Sequence, residues 1–556
     1  MFVKKRRDYM MTNIFIGGAW PYANGSLHLG RLASLLPGDV LARYFRAKGE
    51  RVLYVSGSDC HGTPVEVQAT AEGIAPRDIA DRYHQEFSEC FRRLGFTYDL
   101  YTRTDQPFHH RIVQELFLKL QENGHLYRKT IRQAYCETDH RFLPDRYVEG
   151  DCPICGSRAR GDQCDVCSAI LDPSDLTNVA CKICGNPPVE RPTEHFYVPL
   201  SKFQEDLAQY VKEAEGWREN AVLQSRRYLE EGLRDRAATR DLDWGIDVPV
   251  PGLEGKKIYV WIEAVSGYLS ASRQWAAETG GDWESFWQED GDITAYYVHG
   301  KDNIPFHTLI WPAILKGVGG LHLPDRILSC EYMTLEGRKF STSRNWAIWV
   351  PDLLSRYQPD SIRYFLIANG PEHRDTDFSW LDFINRHNGE LLGAFGNLVN
   401  RTLVFIEKSF GGKIPEGNLE EDWRRIIEQS YVDTGTLIEQ GRLKEALASV
   451  FRIVRQANKF YDERKPWLQI KNDPEACGHT LHTCVQIIAN LANLLQPFIP
   501  FACDRIRDFL ALDEPGWSRC HVPVNRTVCQ LAKLFERIDP SRIEEEMSRL
   551  GGADLQ

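Results

Sequence analysis

Apolar positions in the first 125 residues fall by turns into short continuous runs and helical stripes. Ile14-Phe15-Ile16 and Val52-Leu53-Tyr54-Val55 read as buried strands, and residues 106–124 read as an amphipathic helix. Strands alternating with helices predict the first half of a doubly wound parallel sheet, with ligand loops at the C-terminal ends of its strands. From 126 to 240 that rhythm gives way to Cys, Gly, Asp and Pro, as in an inserted domain. Strand-like runs return at Ile258-Tyr259-Val260-Trp261 and Tyr296-Tyr297-Val298-His299 and complete the sheet. Beyond 386 apolar residues recur at three and four spacings (Leu391, Leu392, Phe395, Leu398, Val399, Leu403), and Pro497 and Pro500 break a helix near the end. The pattern predicts an α/β fold with five segments: 1–125, first half of a nucleotide-binding domain; 126–240, insertion; 241–325, second half; 326–385, connector; 386–556, helical bundle.

Composition narrows the class. The chain has 556 residues, 42% hydrophobic and 26% charged, as in a globular protein of several domains. No stretch approaches the ~20 apolar residues of a membrane span. Lys4-Lys5-Arg6-Arg7 precedes no apolar run of the signal-peptide kind, and Met10 or Met11 is an alternative start to Met1. A net charge of −11 gives no global attraction for nucleic acid, so RNA would have to be met by local basic patches. Fifteen cysteines, six of them in three Cys-x-x-Cys pairs, favour metal binding in a reducing cytoplasm over disulfides.

Two distant segments carry candidate phosphate chemistry. Pro21-Tyr22-Ala23-Asn24-Gly25-Ser26-Leu27-His28-Leu29-Gly30-Arg31 follows the first strand and reads as a turn opening a helix. A helix N-terminus offers free N–H groups and a positive dipole end to a polyphosphate, and Gly30 allows close approach. Lys339-Phe340-Ser341-Thr342-Ser343-Arg344 supplies two cations and three hydroxyls on a loop.

The cysteines carry a second signal. Cys152 and Cys155 are separated by eight residues from Cys164 and Cys167, a spacing suited to a closed tetrahedral, structural zinc site, with Gly156 making the tight turn. Cys181 and Cys184 lack an obvious second pair. Cys136, with Asp139 three positions later and His140 adjacent, offers either a second zinc site or an empty knuckle held by hydrogen bonds.

The histidine turn and the lysine loop resemble the paired ATP signatures of class I aminoacyl-tRNA synthetases, usually His-Ile-Gly-His and Lys-Met-Ser-Lys-Ser. The zinc knuckles, the run Arg141-Phe142-Leu143-Pro144-Asp145-Arg146 and an insertion of 115 residues, too short for the editing domain of leucine, isoleucine or valine enzymes, resemble the methionyl-tRNA synthetases over nearly the whole chain. The resemblance implies a Rossmann-type catalytic domain split by a zinc-knuckle insertion, a connector and an anticodon-binding helical bundle. It implies the partners ATP, L-methionine and tRNA(Met), with Mg²⁺ entering with ATP. Composition adds the expectation of a cytoplasmic protein with no membrane. Because many relatives dimerise through an extra C-terminal RNA-binding domain that this sequence does not carry, a monomer is expected unless a separate partner protein supplies that domain.

By the same resemblance, ATP is bound by His28, Gly30, Lys339, Ser341, Thr342 and Ser343, and catalysis rests on His28, Arg31, Lys339 and Arg344. Methionine is bound by Ala19, Trp20, Tyr22, Asp59, Trp261, Ala264, Tyr268, Asn303 and His307, with Asp59 meeting the ammonium. Asn397, Arg401 and Trp467 read the anticodon. Aromatic walls suit a thioether, since sulfur–aromatic contacts contribute ~0.3–1.5 kcal/mol. The chain departs from the pattern at Arg31, in place of a second histidine, at Phe340, in place of methionine, and at Thr342, in place of the lysine that meets pyrophosphate; Val265 replaces a proline of some relatives. Two other readings stand beside this one: a different class I synthetase without a large editing domain, such as a cysteinyl enzyme, and a catalytically silent zinc-containing nucleic-acid-binding relative.

Overall fold

A computed structural model describes residues 11–143, 147–160, 164, 166, 167, 171 and 175–551. The basic run at 4–7, Met1 and Met10, and Pro144-Asp145-Arg146 lie outside the described residues, as does the side chain of Ser343.

The chain enters through β1 (Asn13–Gly18), α1 (Leu29–Lys48), β2 (Arg51–Ser58), α2 (Pro76–Leu94) and β3 (Leu100–Arg103). After the insertion come α3 (Val260–Thr279), β4 (Ile293–Gly300) and β5 (Arg326–Cys330). The five strands form one sheet in the order β5-β4-β1-β2-β3, and every pairing is parallel. Strand periodicity separates two cores. Ile14, Ile16, Tyr54, Tyr296 and Val298 face the core shared with α1. Phe15, Leu53, Val55, Ala295 and Tyr297 face the one shared with α3. The chain leaves β1 toward β2 on one side and returns as β4 on the other. The crevice at the C-terminal end of β1 is therefore the switch point where ligands of open α/β sheets bind.

Three expectations need correction. Ile258-Tyr259-Val260-Trp261 is not a strand of this sheet. Only Lys257–Ile258 is extended, pairing antiparallel with Thr239–Arg240, and Val260 opens α3. α3 is buried along much of its length, and an apolar run alone does not distinguish a buried helix from a strand. β5 falls within the expected connector, so the sheet extends past 325. Helices Gln204–Glu213 and Glu219–Glu230, expected within the insertion, pack beside the sheet instead: Arg218 N–H donates to Ile327 O (3.0 Å) and Trp217 Nε1 to Asp325 O (3.1 Å).

The insertion is an antiparallel ladder of Tyr127–Cys136 with Val189–Val198, carrying a small sheet built on Val148–Asp151 at its tip. After the connector helix α4 (Pro359–Ala368) and a short strand, Thr376–Phe378, that pairs with Met333–Leu335, helices run from Trp380 to Leu510. Residues 511–541 are not helical, contrary to the near-continuous helix expected there. They lie across the bundle through bonds such as Ile414 N–H to Arg526 O (2.9 Å) and Val528 N–H to Gly412 O (2.8 Å). A last helix, α5 (Arg542–Arg549), returns to the connector, where buried Glu546 accepts from Arg356 (2.7 and 2.9 Å) and Tyr357 (3.0 Å).

A buried ion pair joins catalytic sheet, connector and bundle. Asp39 of α1 meets Arg363 of α4 at 2.7 Å, both fully buried. Asp39 also accepts from Arg43 (2.9 Å) and from Thr97 N and Oγ1 (2.7 and 2.8 Å). Arg363 donates onward to Leu94 O (3.2 Å), Pro497 O (2.9 Å) and Phe498 O (3.0 Å). Burial alone would raise the Asp39 pKa; Arg363, Arg43 and Thr97 overcome it and hold the carboxyl below its ordinary value. Removing one partner strands a buried charge. Arg363→Met should lower stability by ~3–5 kcal/mol in urea unfolding, and Asp39→Asn added to it should recover part of that loss.

Candidate active site and metal sites

The histidine turn begins where β1 ends. Asp59 N–H donates to Pro21 O (2.9 Å) and Ala23 N–H to Asp59 O (2.8 Å), which keeps Tyr22 beside Asp59 beyond the sheet. Glu86 of α2 holds the turn from below, accepting from Ser26 Oγ (2.5 Å) and Leu27 N (3.0 Å). His28, extended at φ −100°, ψ 157°, caps α1.

The segment that follows the lysine loop is paired directly to this turn. Leu29 N–H donates to Ile348 O (2.9 Å) and Val350 N–H to Leu27 O (2.8 Å). Phe340 stacks on the His28 imidazole, centroids 5.4 Å apart at 27°. Gly30 lies under this stack; a Cβ there would stand 3.2 Å from His28 Nδ1 and 3.6 Å from Phe340.

Both segments border one cavity of about 750 Å³. His28, Gly30, Arg31, Lys339, Phe340, Ser341 and Thr342 line one part of it; Ala19, Trp20, Tyr22, Asp59, Trp261, Ala264, Tyr268, Asn303 and His307 line the rest. Trp261 and Tyr268 do share a face of α3. Arg344 does not border the cavity; it is exposed at the end of the 3₁₀ turn Thr342–Arg344. The cavity also takes in Asp302, Phe306, Glu331, Tyr332 and Met333, which the sequence reading missed. Their signal was position: Asp302 follows β4 and Glu331 follows β5, at strand C-terminal ends.

Hydrogen bonds fix the aromatic end. His307 sits in a π-helical turn, Phe306–Ile310, a widening often found at functional sites. Its Nδ1–H donates to Asn303 O (2.8 Å), which leaves Nε2 to accept from Tyr268 OH (2.8 Å). Burial lowers the His307 pKa to about 4, so the ring is neutral. Asp59 is the opposite case: burial first, then the neighbouring carboxyl of Glu263, raise its pKa well above 3.8, against the His61 N–H that favours the anion. A carboxyl so placed is ionised when a cation arrives beside it. Glu263 itself is bonded to His61 Nδ1.

Both cysteine quartets assemble. In each, the four candidate ligand atoms lie within 4.8 Å of one another. Cys155–Cys164 (3.5 Å) and Cys152–Cys167 (3.8 Å) bracket the ~3.8 Å sulfur separation that tetrahedral Zn–S bonds of ~2.3 Å require. In the second quartet Asp139 Oδ2 lies 3.0 Å from Cys136 Sγ and 3.1 Å from Cys181 Sγ. The two Cys-x-x-Cys-Gly knuckles turn alike: Gly156 N–H bonds Cys152 O (2.9 Å), Gly185 N–H bonds Cys181 O (2.8 Å), and both glycines have φ above +70°. His140 takes the same left-handed position after Cys136-x-x-Asp139, which makes Asp139 the counterpart of a knuckle's second cysteine. These donor sets fit zinc.

In the bundle, Arg401 is held by Asp462 (2.7 Å) and Asn458 Oδ1 (2.9 Å), its guanidinium 4.1 Å from the Tyr461 ring centroid. Trp467, 43% exposed, stands 6.0 Å from Tyr461, and exposed Asn397 opens the helix that carries Arg401.

A parallel sheet with two cation-bearing segments facing each other across its switch point is the architecture of a nucleotide-activating α/β ligase. The family described as tRNA synthetases class I (M) matches residues 14–403, and the anticodon binding domain of methionyl tRNA ligase matches 412–554. A methionine–tRNA ligase of Bacillus cereus (strain Q1) is 58% identical over 544 residues, covering 97% of this chain and 99% of the relative. Methionine–tRNA ligase 2 of Bacillus anthracis is equally similar. Among solved structures, Mycobacterium tuberculosis methionyl-tRNA synthetase in complex with methionyl-adenylate shares the fold, with TM-score 0.79, 23% identity and coverage of 95% of this chain and 100% of that one. The chain belongs to the methionyl (M) family of class I tRNA synthetases. Among the described residues no helix is long and apolar enough to cross a membrane.

Burial, then Arg31, lower the His28 pKa to about 3. As pH falls below 6.5 the unfolded chain takes up the proton that folded His28 refuses, so this residue costs stability progressively down to about pH 3. Relative to its value at pH 7, the urea midpoint of His28→Gln should therefore gain on wild type at pH 4.5. A difference between the two proteins that is the same at both pH values would contradict the half-buried neutral imidazole.

Proposed function

We propose that the protein attaches methionine to tRNA(Met) in two steps, through a methionyl-adenylate, releasing diphosphate and then AMP. The observation that carries this reading is the single cavity in which the His28 turn and the Lys339 loop meet an aromatic pocket floored by Asp59. ATP places its phosphates between the two cationic segments. Methionine enters ammonium first toward Asp59, whose charged form the arriving cation favours against burial. The thioether lies among Tyr22, Trp261, Tyr268 and His307. A methylene's worth of fit discriminates by only ~1–3 kcal/mol, so several rings must close on the chain together.

The methionine carboxylate oxygen attacks the α-phosphorus, its O–P bond forms, and the bond to diphosphate breaks. No covalent enzyme intermediate is needed; positioning and fixed charge supply the acceleration. Arg31, half-buried at the cavity wall and donating to Tyr22 O (3.1 Å), gives this cavity a guanidinium fork where the pattern has histidine. With Thr342 in place of the second lysine, Arg31 and Lys339 carry the charge that departs with diphosphate. Mg²⁺ enters bound to ATP. In the second step the 3′-terminal ribose hydroxyl of tRNA attacks the mixed anhydride, and AMP leaves. Asn397, Arg401 and Trp467 meet the anticodon; a half-exposed indole beside an Arg–Tyr stack suits unstacked bases. The cysteine quartets hold two structural zinc ions, whose closed thiolate-rich shells leave no position for substrate. Cysteines gathered in two metal-binding quartets rather than disulfides suit a reducing cytoplasm, where we place the enzyme.

ATP–pyrophosphate exchange tested against all twenty amino acids should respond to methionine and not to cysteine; a response to another amino acid alone would refute the assignment. Asp59→Ala should raise the KM for methionine at least tenfold and that for ATP less than twofold. Metal analysis of the same sample should give two zinc per chain, falling to one in Cys181→Ser/Cys184→Ser. One zinc in the parent protein would mean that the second knuckle is held by hydrogen bonds alone.

A further inference from the structure

The indole of Trp20 lies against two glycines whose backbone angles do not call for glycine. Gly57 lies inside β2 and Gly267 inside α3, and neither has a positive φ. Glycine inside a strand or helix weakens it, so its presence there needs a packing reason. Trp20 is that reason. A Cβ on Gly267 would stand 2.7 Å from Trp20 Cε2 and Cζ2 and 3.1 Å from Cη2, with no other atom so close. A Cβ on Gly57 would run into Trp20 Cζ3 and would stand 2.6 Å from Cη2 and 2.5 Å from Thr102 O, so the indole and the backbone of β3 both exclude a side chain there. The ring is further enclosed by Tyr268, edge-on at 6.4 Å and 82°, and by His109, at 6.2 Å and 30°. Its remaining side borders the cavity that also holds Asp59 and Tyr268.

We propose that Gly267, supported by Gly57, is a positioning residue that sets the depth of the amino-acid site by holding Trp20 back as its far wall. A rigid bicyclic ring pressed from α3 has no slack along its Cζ3–Cη2 edge, where Gly57 of β2 already lies against it. It moves toward the open cavity and occupies volume meant for the substrate side chain. The two glycines and the tryptophan thus form one matched set. This inference rests on the reading of the cavity as a methionine site.

The test is ATP–pyrophosphate exchange with wild type, Gly267→Ala, Trp20→Leu and the double variant. Gly267→Ala should raise the KM for methionine at least tenfold while changing the KM for ATP less than twofold. In the Trp20→Leu background the same substitution should change the methionine KM less than threefold, because no ring is left to displace. An unchanged methionine KM in Gly267→Ala, equal rises for methionine and ATP, or a full effect that persists without the indole would each overturn the proposal. If Gly267→Ala does not fold, the double variant decides: folding with the KM of Trp20→Leu alone supports it, and failure to fold overturns it. Wild-type protein without methionine-dependent exchange would refute the functional reading itself, which separates the two failures.

Discussion

The buried pair of Asp39 and Arg363 is the constraint on which the arrangement of the site depends. A charge in the interior is tolerated only where it is paired and its remaining hydrogen-bonding capacity is filled. Arg363 fills its capacity with carbonyls from α2 and from the Pro497–Phe498 corner of the bundle, so a single guanidinium touches three parts of the chain. With α4 fixed against α1, the segment just before it runs alongside the histidine turn, where Ile348 and Val350 pair with Leu29 and Leu27. The stacking of Phe340 on His28 follows from that placement. α5 supports the same loop from behind through Gly551 N–H to Asn345 O (3.1 Å).

Charge is divided sharply across the cavity. The phosphate end keeps its cations and a neutral His28. The amino-acid end has neutral His307 and a carboxyl, Asp59, whose charge is held off by burial and by Glu263. In the proposed reading, a carboxyl disfavoured as an anion by its surroundings is matched by an incoming ammonium. In that reading the aromatic walls receive the substrate side chain, and Gly267 sets where Trp20 stands among them.

Much of the site was legible locally. Cys-x-x-Cys spacing and the glycine after it define a knuckle within six residues, and the structure closes both quartets. The strand Ile14–Ile16 followed by the Gly25–Arg31 turn fixed the first phosphate segment, because strand, turn and helix start are all short-range features. The anticodon candidates on the helix beginning at Asn397 were readable for the same reason. Asp302 and Glu331 escaped notice because their meaning is positional: a carboxylate after a strand matters only if that strand neighbours β1. Glu86 escaped because its partner lies a helix away.

Local sequence therefore determined which segments are strands, knuckles and helix starts, since hydrophobic period, turn glycines and ligand spacing act over a few residues. It misassigned Val260–Trp261 because burial on most sides erases the pattern that distinguishes a helix from a strand, and it placed 326–330 in the connector and helices 204–230 in the insertion because a segment's own periodicity does not say which element it packs beside. Tertiary structure alone decided that two segments some three hundred positions apart share a cavity, that Arg344 stays outside it, and that Gly57 and Gly267 lie against one indole. Those facts depend on long-range packing and on a buried ion pair, whose partners become neighbours only when the whole chain has folded.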